Sequence, residues 1–311
     1  MNKLLIIGTG GTIAGLGNQK GNSDTDYTSG KLPIETLTKA IEYDSNVVDI
    51  TVMQLCNVNS DDITSSHWIS LAKAINENSD IYDGIIITHG TDTLEETAFF
   101  LEMTTKHKVP VIITCAMYPS DSILSDGPAN LNRSVDVMMK WIKEGYTVSC
   151  PFINCEFENY APLSLVCNGK IIPAYKATKI YSPGNGFSFE EIEFELCQLK
   201  EFFRHYDISQ TYELPKVPIL TFYTEADFIF PDYISHIEPA YIVISGAGAG
   251  EFSLEWERRI ESLSETGVIF IRTSKINKAP VNTNQCQGAH TLNAGNLSPE
   301  KAAILARLQM I

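Results

Sequence analysis

Two threonines stand on glycine-rich turns in this chain, Thr12 in GTGGTIAG at 8–15 and Thr91 in ITHGTDTLEETA at 87–98. Each turn follows a short apolar run of the kind that forms a buried parallel strand, LLII at 4–7 and GIII at 84–87. A hydroxyl presented on a tight turn at a strand's carboxyl end is exposed, lies among backbone N–H donors and can attack a carbonyl carbon. The pattern points to a threonine-nucleophile amidohydrolase. Because an unperturbed hydroxyl is a weak nucleophile, the same chemistry demands a base close by.

Spacing tests the competing readings of these turns. A dinucleotide fingerprint, G-x-G-x-x-G, needs glycine at position 13 and meets Ile13. A phosphate-binding loop needs Gly-Lys-Ser or Gly-Lys-Thr at its end, and neither follows. Thr93 and Glu96 have the spacing of a helix capping box, and Asp92 sits where a negative charge favours a helix N-terminus. Asp61 and Asp62 read in the same way, as acids opening a helix. Thr9, in the first turn, rivals Thr12 as the nucleophile.

The two turns resemble the two signatures of the bacterial-type L-asparaginases, closest to the cytoplasmic type I members, and the resemblance continues to the end of the chain. SDDIT at 60–64, followed by Trp68, resembles the family's substrate-carboxylate loop, and the stretch from Asn168 to Phe189 resembles the one that carries its catalytic lysine. The resemblance implies hydrolysis of L-asparagine to L-aspartate and ammonia, with neither metal nor organic cofactor. It makes Thr12 the nucleophile, Thr91 the second hydroxyl, Asp92 the partner of the substrate's α-ammonium, and Lys179 a proton shuttle acting through Thr91, with Lys170 and Lys176 as alternatives. Tyr27, in DYTSGKLP, takes the place of the tyrosine that closes on the nucleophile, and His89 is expected to be structural.

By the same resemblance Ser60 binds the substrate α-carboxylate, and Gly11, Gly90 and Ala116 complete the substrate-binding positions. Asp61 stands where the family usually has Gln or Ser; to avoid repelling that carboxylate it must turn toward the ammonium, bind through its backbone or carry a proton. Tyr118 replaces the usual Arg in AMYPS at 116–120, Ala249 replaces an Asn that in some members reaches a neighbouring subunit's site, and residues 281–290 offer no counterpart to an acidic residue some members use beside the substrate's amino group. A glutaminase-asparaginase or related small-amide hydrolase stays open. So does the amidase subunit of a tRNA-dependent amidotransferase, although such subunits carry an additional N-terminal domain and this chain starts directly at the catalytic strand.

The elements that must hold these residues are legible as apolar runs alternating with amphipathic stretches. Further strands are expected at 47–55, 109–117, 217–223, 240–248 and 267–274, and helices at 62–78, 93–105, 128–143 and 298–310. This alternation predicts an α/β protein with a larger N-terminal domain, built on a mostly parallel sheet, and a smaller C-terminal α/β domain. A shift to charged and aromatic residues over 191–214 sets the boundaries at 1–195, a linker at 196–215, and 216–311. Asn18 to Gly30 is the most loop-like stretch and a candidate active-site lid.

A net charge of −15 and a pI near 4.8 argue against nucleic acid or an anionic membrane as partner, leaving a small-molecule substrate, L-asparagine by the resemblance. No secretory signal is visible and no window reaches the roughly 18 apolar residues of a membrane span. Seven cysteines without a repeating spacing suggest reduced thiols and a cytoplasmic location; the C-x4-C of Cys150 and Cys155 is a poor zinc signal. The resemblance further implies a homo-oligomer, dimer or tetramer, with sites near a subunit contact.

Overall fold

The computed structural model describes residues 1–18, 26–152, 160–183, 186–229, 240–282, 285–286 and 291–311. The chain divides into two compact units, the first holding Met1–Pro151, Cys155–Glu191 and Asp207–Tyr212, the second the remainder. It is an α/β protein.

In the first unit the elements are β1 (Asn2–Gly10), β2 (Leu16–Gly17), β3 (Tyr27–Thr28), α1 (Ile34–Leu37), β4 (Val48–Val58), α2 (Ser65–Asn78), β5 (Gly84–Thr88), α3 (Leu94–Thr104), β6 (Val111–Thr114), α4 (Gly127–Glu144), β7 (Leu163–Cys167), β8 (Lys170–Pro173), β9 (Ala177–Ser182) and β10 (Gly186–Glu191). One sheet runs β4-β1-β5-β6-β7-β8, parallel except for β8. Strands β5, β6 and β7 are buried along their length, and β1 is buried from Leu4 onward. Their unbroken apolar runs reflect cover on both faces. Strand β4 is only partly buried, as an edge position requires. Leu4, Ile6, Ile86, Ile112 and Val166 pack with Leu131, Val135, Met138 and Trp141 of α4 in one core.

This strand order positions the chemistry. The chain leaves β1 toward β4 on one side and returns to β5 on the other, so the carboxyl ends of β1 and β5 flank a topological switch point, where open α/β sheets place their ligands. Both threonine turns emerge there. On the outer side the β1–β4 register jumps from Gly8↔Gln54 to Gly10↔Val58. Gly10 has φ 103°, and a Cβ on it would lie 2.4 Å from the Val58 carbonyl oxygen. Two extra residues of β4 are thereby accommodated, and the chain runs on into the short turn Ser60–Asp62 beside the second threonine turn.

Helix α2 starts with a capping box in which Thr64 pairs with His67, where Glu or Gln is usual. The expected box at Thr93 and Glu96 does not form. Thr93 makes no side-chain cap; its side chain is turned toward the Ser60 carbonyl, to which the hydroxyl donates at 2.8 Å. That acceptor comes from a loop distant in sequence, which local spacing cannot register. The short antiparallel pair β9–β10, not foreseen in the sequence, carries Lys179.

The second unit holds β11 (Ile219–Thr221), β12 (Tyr241–Gly246), α5 (Leu254–Ser264), β13 (Ile269–Ser274), β14 (Thr291–Asn293) and α6 (Pro299–Gln309). Its sheet, β11-β12-β13-β14, is parallel throughout. Helix α6 begins where the expected 298–310 helix does, with the Ser298 side chain accepting from the Lys301 N–H and Pro299 in the first turn. Cys56, Cys115, Cys167, Cys197 and Cys286 are free thiols. Cys150, however, is disulfide-bonded, which corrects the expectation of reduced thiols throughout; cysteine counts and spacings do not reveal which segments the fold brings together.

One buried polar cluster lies at the far end of α3. The Tyr160 hydroxyl donates to Glu102 Oε1 at 2.5 Å and lies 3.0 Å from His107 Nε2, with the two rings stacked 4.0 Å apart. Burial raises the Glu102 carboxyl from 4.5 to about 8, against the opposing effect of the Tyr160 hydrogen bond. A carboxyl group raised in the folded state contributes its full stability below its unfolded value and loses it as pH climbs toward the folded one. Glu102→Gln should therefore gain on the wild type between pH 5 and pH 8, its melting temperature rising relative to the parent as pH increases. A difference that stays constant across that range would count against a buried neutral Glu102.

Candidate active site

The two glycine turns touch backbone to backbone. Gly11 has φ 79°, and a Cβ there would lie 2.2 Å from Gly90 Cα; one on Gly90 would lie 2.9 Å from Ser60 Oγ and 3.0 Å from Gly11 Cα. Only glycine permits this approach, which draws residues 11–12, 90–92 and 60 around one point. The Gly11 N–H is held by the Val58 carbonyl at 2.8 Å, fixing the first turn to β4.

Thr12 opens a single 3-10 turn, Thr12–Ala14, and is nearly buried. Its Oγ1 lies 2.9 Å from the Tyr27 hydroxyl. Thr9 is occupied elsewhere: its hydroxyl donates to the Thr88 carbonyl at 2.9 Å, tying β1 to β5. Of the stretch expected to form a lid, residues 19–25 lie outside the described residues.

The three lysines separate clearly. Lys179 Nζ donates to Thr91 Oγ1 at 2.9 Å and closely to the Asp92 carboxylate, and sits 4.8 Å from the centre of the Phe187 ring. Its backbone N–H donates to Glu95 Oε2 at 2.7 Å, which docks β9 on the first turn of α3. Lys170 donates to the Phe189 carbonyl, and Lys176 pairs with Glu191. The Asp92 side chain is 56% exposed while that of Lys179 is 15% exposed, so the carboxylate remains open to an incoming cation.

Ser60 is buried; its Oγ accepts from the Asp92 N–H at 3.3 Å, which leaves the hydroxyl proton for another acceptor. Asp61 is exposed, and its Oδ2 accepts from the Asn59 side chain at 3.2 Å. Ala116 is fully buried in the core near Ile13, so its side chain is a packing element.

A chain of hydrogen bonds missed in the sequence supports the second turn. Gly90 O can only accept, so His89 Nδ1, 2.7 Å away, carries a proton. His89 Nε2 then accepts from the Thr97 hydroxyl at 3.0 Å, and Thr97 Oγ1 accepts from Trp68 Nε1 at 2.8 Å. Burial lowers the His89 pKa to about 4, against the opposing effect of the Gly90 bond, and keeps the ring neutral. With the Gly90 carbonyl drawn toward the ring, planarity turns the Thr91 N–H of the same peptide to the opposite side.

Among the described residues, Glu257, Glu261 and Cys286 of the second unit are close enough to share a metal ion, but Glu257 Oε1 already accepts the Cys286 N–H at 3.2 Å. No helix among the described residues is long and apolar enough to cross a membrane.

The chain matches the family model "Asparaginase, N-terminal" over residues 3–195 and "Glutaminase/Asparaginase C-terminal domain" over residues 216–310. It belongs to the asparaginase family. It is 31% identical to L-asparaginase 2 of Escherichia coli (strain K12), over 99% of this chain and 88% of that one, and 33% identical to L-asparaginase 2 of Bacillus subtilis (strain 168), over 98% and 81%. Its fold matches the crystal structure of a probable cytoplasmic L-asparaginase from Campylobacter jejuni with a TM-score of 0.78 at 27% identity, covering 99% of this chain and 95% of the other.

The contact between the turns can be isolated by comparing two left-handed glycines. Gly11→Ala should cost roughly 2 kcal/mol or more of stability and at least about a hundredfold in activity, because strain and a backbone collision combine. Gly145, with φ 59° and nothing within 4 Å of its would-be Cβ, serves as control. Gly145→Ala should cost about 1 kcal/mol and leave activity intact. Equal effects in thermal melts and turnover would refute the role given to the Gly11–Gly90 contact.

Proposed function

We propose that the protein is an L-asparaginase that hydrolyses the side-chain amide of L-asparagine to L-aspartate and ammonia through an acyl-enzyme on Thr12. The observation that carries this reading is the convergence at one switch point of two threonine hydroxyls with their partners, Thr12 with the Tyr27 hydroxyl at 2.9 Å and Thr91 with the Lys179 ammonium at 2.9 Å. Family membership and the similarity to named L-asparaginases support the same substrate.

In this mechanism Thr12 Oγ1 bonds to the amide carbon while its proton passes to the Tyr27 oxygen, which gives up its own phenolic proton toward the amide nitrogen. The carbonyl oxygen takes up the displaced electron pair and is stabilised by N–H groups of the second turn, with the Thr91 N–H suitably turned by the Gly90 peptide, and by an ordered water. Collapse of the adduct breaks the C–N bond, and the nitrogen leaves as ammonia with the one proton relayed from Thr12 through Tyr27. Water, activated along Lys179 and Thr91, then cleaves the ester and returns the proton to Thr12. Asp92 receives the α-ammonium in a charge-assisted hydrogen bond, and the Ser60 hydroxyl donates to the α-carboxylate. Gly11 and Gly90 keep the head-group site close to the nucleophile. Ala116 contributes by filling the core beneath it.

We place the protein in the cytoplasm, a location supported by the free thiols and the likeness to a probable cytoplasmic enzyme, and opposed by the disulfide at Cys150. A homo-oligomer is supported by the exposed, edge-packed rings of Tyr181 and Phe187 on the β9–β10 pair, which a second copy would cover.

Thr12→Ala should lower ammonia release from asparagine by several powers of ten with the fold retained, and Lys179→Met should depress kcat strongly while substrate still binds. Lys170→Met and Lys176→Met should be nearly silent. Damage confined to either of those two would misplace the relay, and a loss of only tenfold in Thr12→Ala would argue for another nucleophile.

Asparagine should be favoured over glutamine by at least about tenfold in kcat/KM, the discrimination one methylene commonly gives in a shaped pocket. Asp61→Gln should change that ratio more than it changes the melting temperature. Comparable wild-type rates on both amino acids would instead make this a glutaminase-asparaginase.

A further inference from the structure

Tyr27 reaches Thr12 from a two-stranded ribbon, an element that is marginal on its own. Among the described residues, strands β2 and β3 pair at Leu16↔Thr28 and Gly17↔Tyr27. One end is stapled at Asn18, whose N–H donates to the Asp26 carbonyl at 3.0 Å, whose Nδ2 donates to Asp26 Oδ1 at 2.7 Å, and whose Oδ1 accepts from the Thr28 hydroxyl at 2.7 Å. The Tyr27 ring lies over Gly15, where an added Cβ would come within 3.0 Å of Cδ2.

The outer edge of β2 is held by a loop some hundred residues away in sequence. Because the Asn18 N–H faces β3, the alternation of a strand turns the Gly17 N–H outward, to the open edge. There it donates to both carboxylate oxygens of Asp121, at 2.9 and 3.0 Å. The neighbouring Ser120 continues the seam: its N–H donates to the Gly15 carbonyl at 3.0 Å and its hydroxyl to the Ile13 carbonyl at 2.6 Å. Asp121 thus does for this edge what a third strand does in a sheet. The loop's own footing is independent of the ribbon, since Asp126 accepts the N–H groups of Met117 and Tyr118. At its tip, Ile123 is 97% exposed and contributes no packing.

Resting on the reading that Tyr27 serves Thr12, we infer that Asp121 is a positioning residue for catalysis: its carboxylate anchors Gly17, and through the Gly17↔Tyr27 pair it keeps the tyrosine hydroxyl on the nucleophile. Asp121 touches neither substrate nor reacting atoms. Its removal should act on kcat, where Tyr27 works, and leave alone KM, which the Ser60 and Asp92 side of the site sets.

The test is a double-mutant cycle between Asp121 and Tyr27, read as ammonia release from asparagine with a melting temperature for each variant. Asp121→Ala should lower kcat roughly three- to tenfold, the range for losing a charge-assisted bond at an exposed edge, with KM within about twofold. Asp121→Asn, which keeps one acceptor oxygen, should recover most of the loss. In a Tyr27→Phe background Asp121→Ala should cost less than about twofold, because the hydroxyl it positions is gone. Full additivity with Tyr27→Phe, a kcat change below twofold in Asp121→Ala, or a fall in activity that only tracks melting temperature would each overturn the inference. If Asp121→Ala does not fold, Asp121→Ser supplies the cycle. Failure of the underlying reading looks different: wild-type protein inactive on asparagine, or Thr12→Ala still active.

Discussion

Everything at this site depends on the contact between two backbones, Gly11 against Gly90. Parallel strands β1 and β5 are neighbours, so their carboxyl ends are adjacent in any case. Adjacency of strands sets a spacing of about 4.8 Å between chains, and the turns beyond them ordinarily splay to make room for side chains. With a hydrogen in place of Cβ on both sides, the two turns fold against each other, and a Cβ on Gly11 would come within 2.2 Å of Gly90. The threonines that follow therefore issue from one point. Because Ser60 packs against Gly90 on the remaining side, the same contact seats the third segment of the site.

The polar groups around that point are held by partners that do not compete with the chemistry. His89 is buried and neutral with both ring nitrogens engaged, and the direction of donation from Trp68 through Thr97 to the ring ends on the Gly90 carbonyl. Thr9 and Thr93, equally hydroxylated and close in sequence to the reacting pair, spend their hydrogen bonds on backbone carbonyls. That leaves Thr12 facing Tyr27 and Thr91 facing Lys179. In a protein carrying a net charge of −15, the ammonium of Lys179 finds its carboxylate in Asp92, and the exposed side of that carboxylate remains available to a ligand.

Two devices bring distant chain into this arrangement. The register jump between β1 and β4, made tolerable by Gly10, lengthens the edge strand so that Ser60 arrives beside the second turn. The seam from Ser120 and Asp121 fastens the ribbon that carries Tyr27. Both act on backbone groups, which suits their purpose: a hydrogen-bonded backbone fixes the direction of the side chain it bears more tightly than packing on an exposed loop can.

The sequence by itself determined the α/β class, the apolar strands that end in the threonine turns, and the start of the last helix at Ser298. These follow from local rules, in which a β-branched run, a glycine or a capping hydroxyl acts on residues within a few positions. The motifs also named Thr12, Thr91, Asp92 and Lys179 through their likeness to a family, without showing that they meet. Tertiary structure alone decided that Lys179, and neither Lys170 nor Lys176, lies on Thr91, because β9 is docked by a bond from its backbone to Glu95, 84 positions away. It also turned Thr93 from an expected helix cap to a bond with Ser60, and drew Trp68, Thr97 and His89 into one line. Each of these pairs residues remote in sequence, and the free energy that selects them comes from burial and from satisfying polar groups across the fold, which spacing along a chain does not encode.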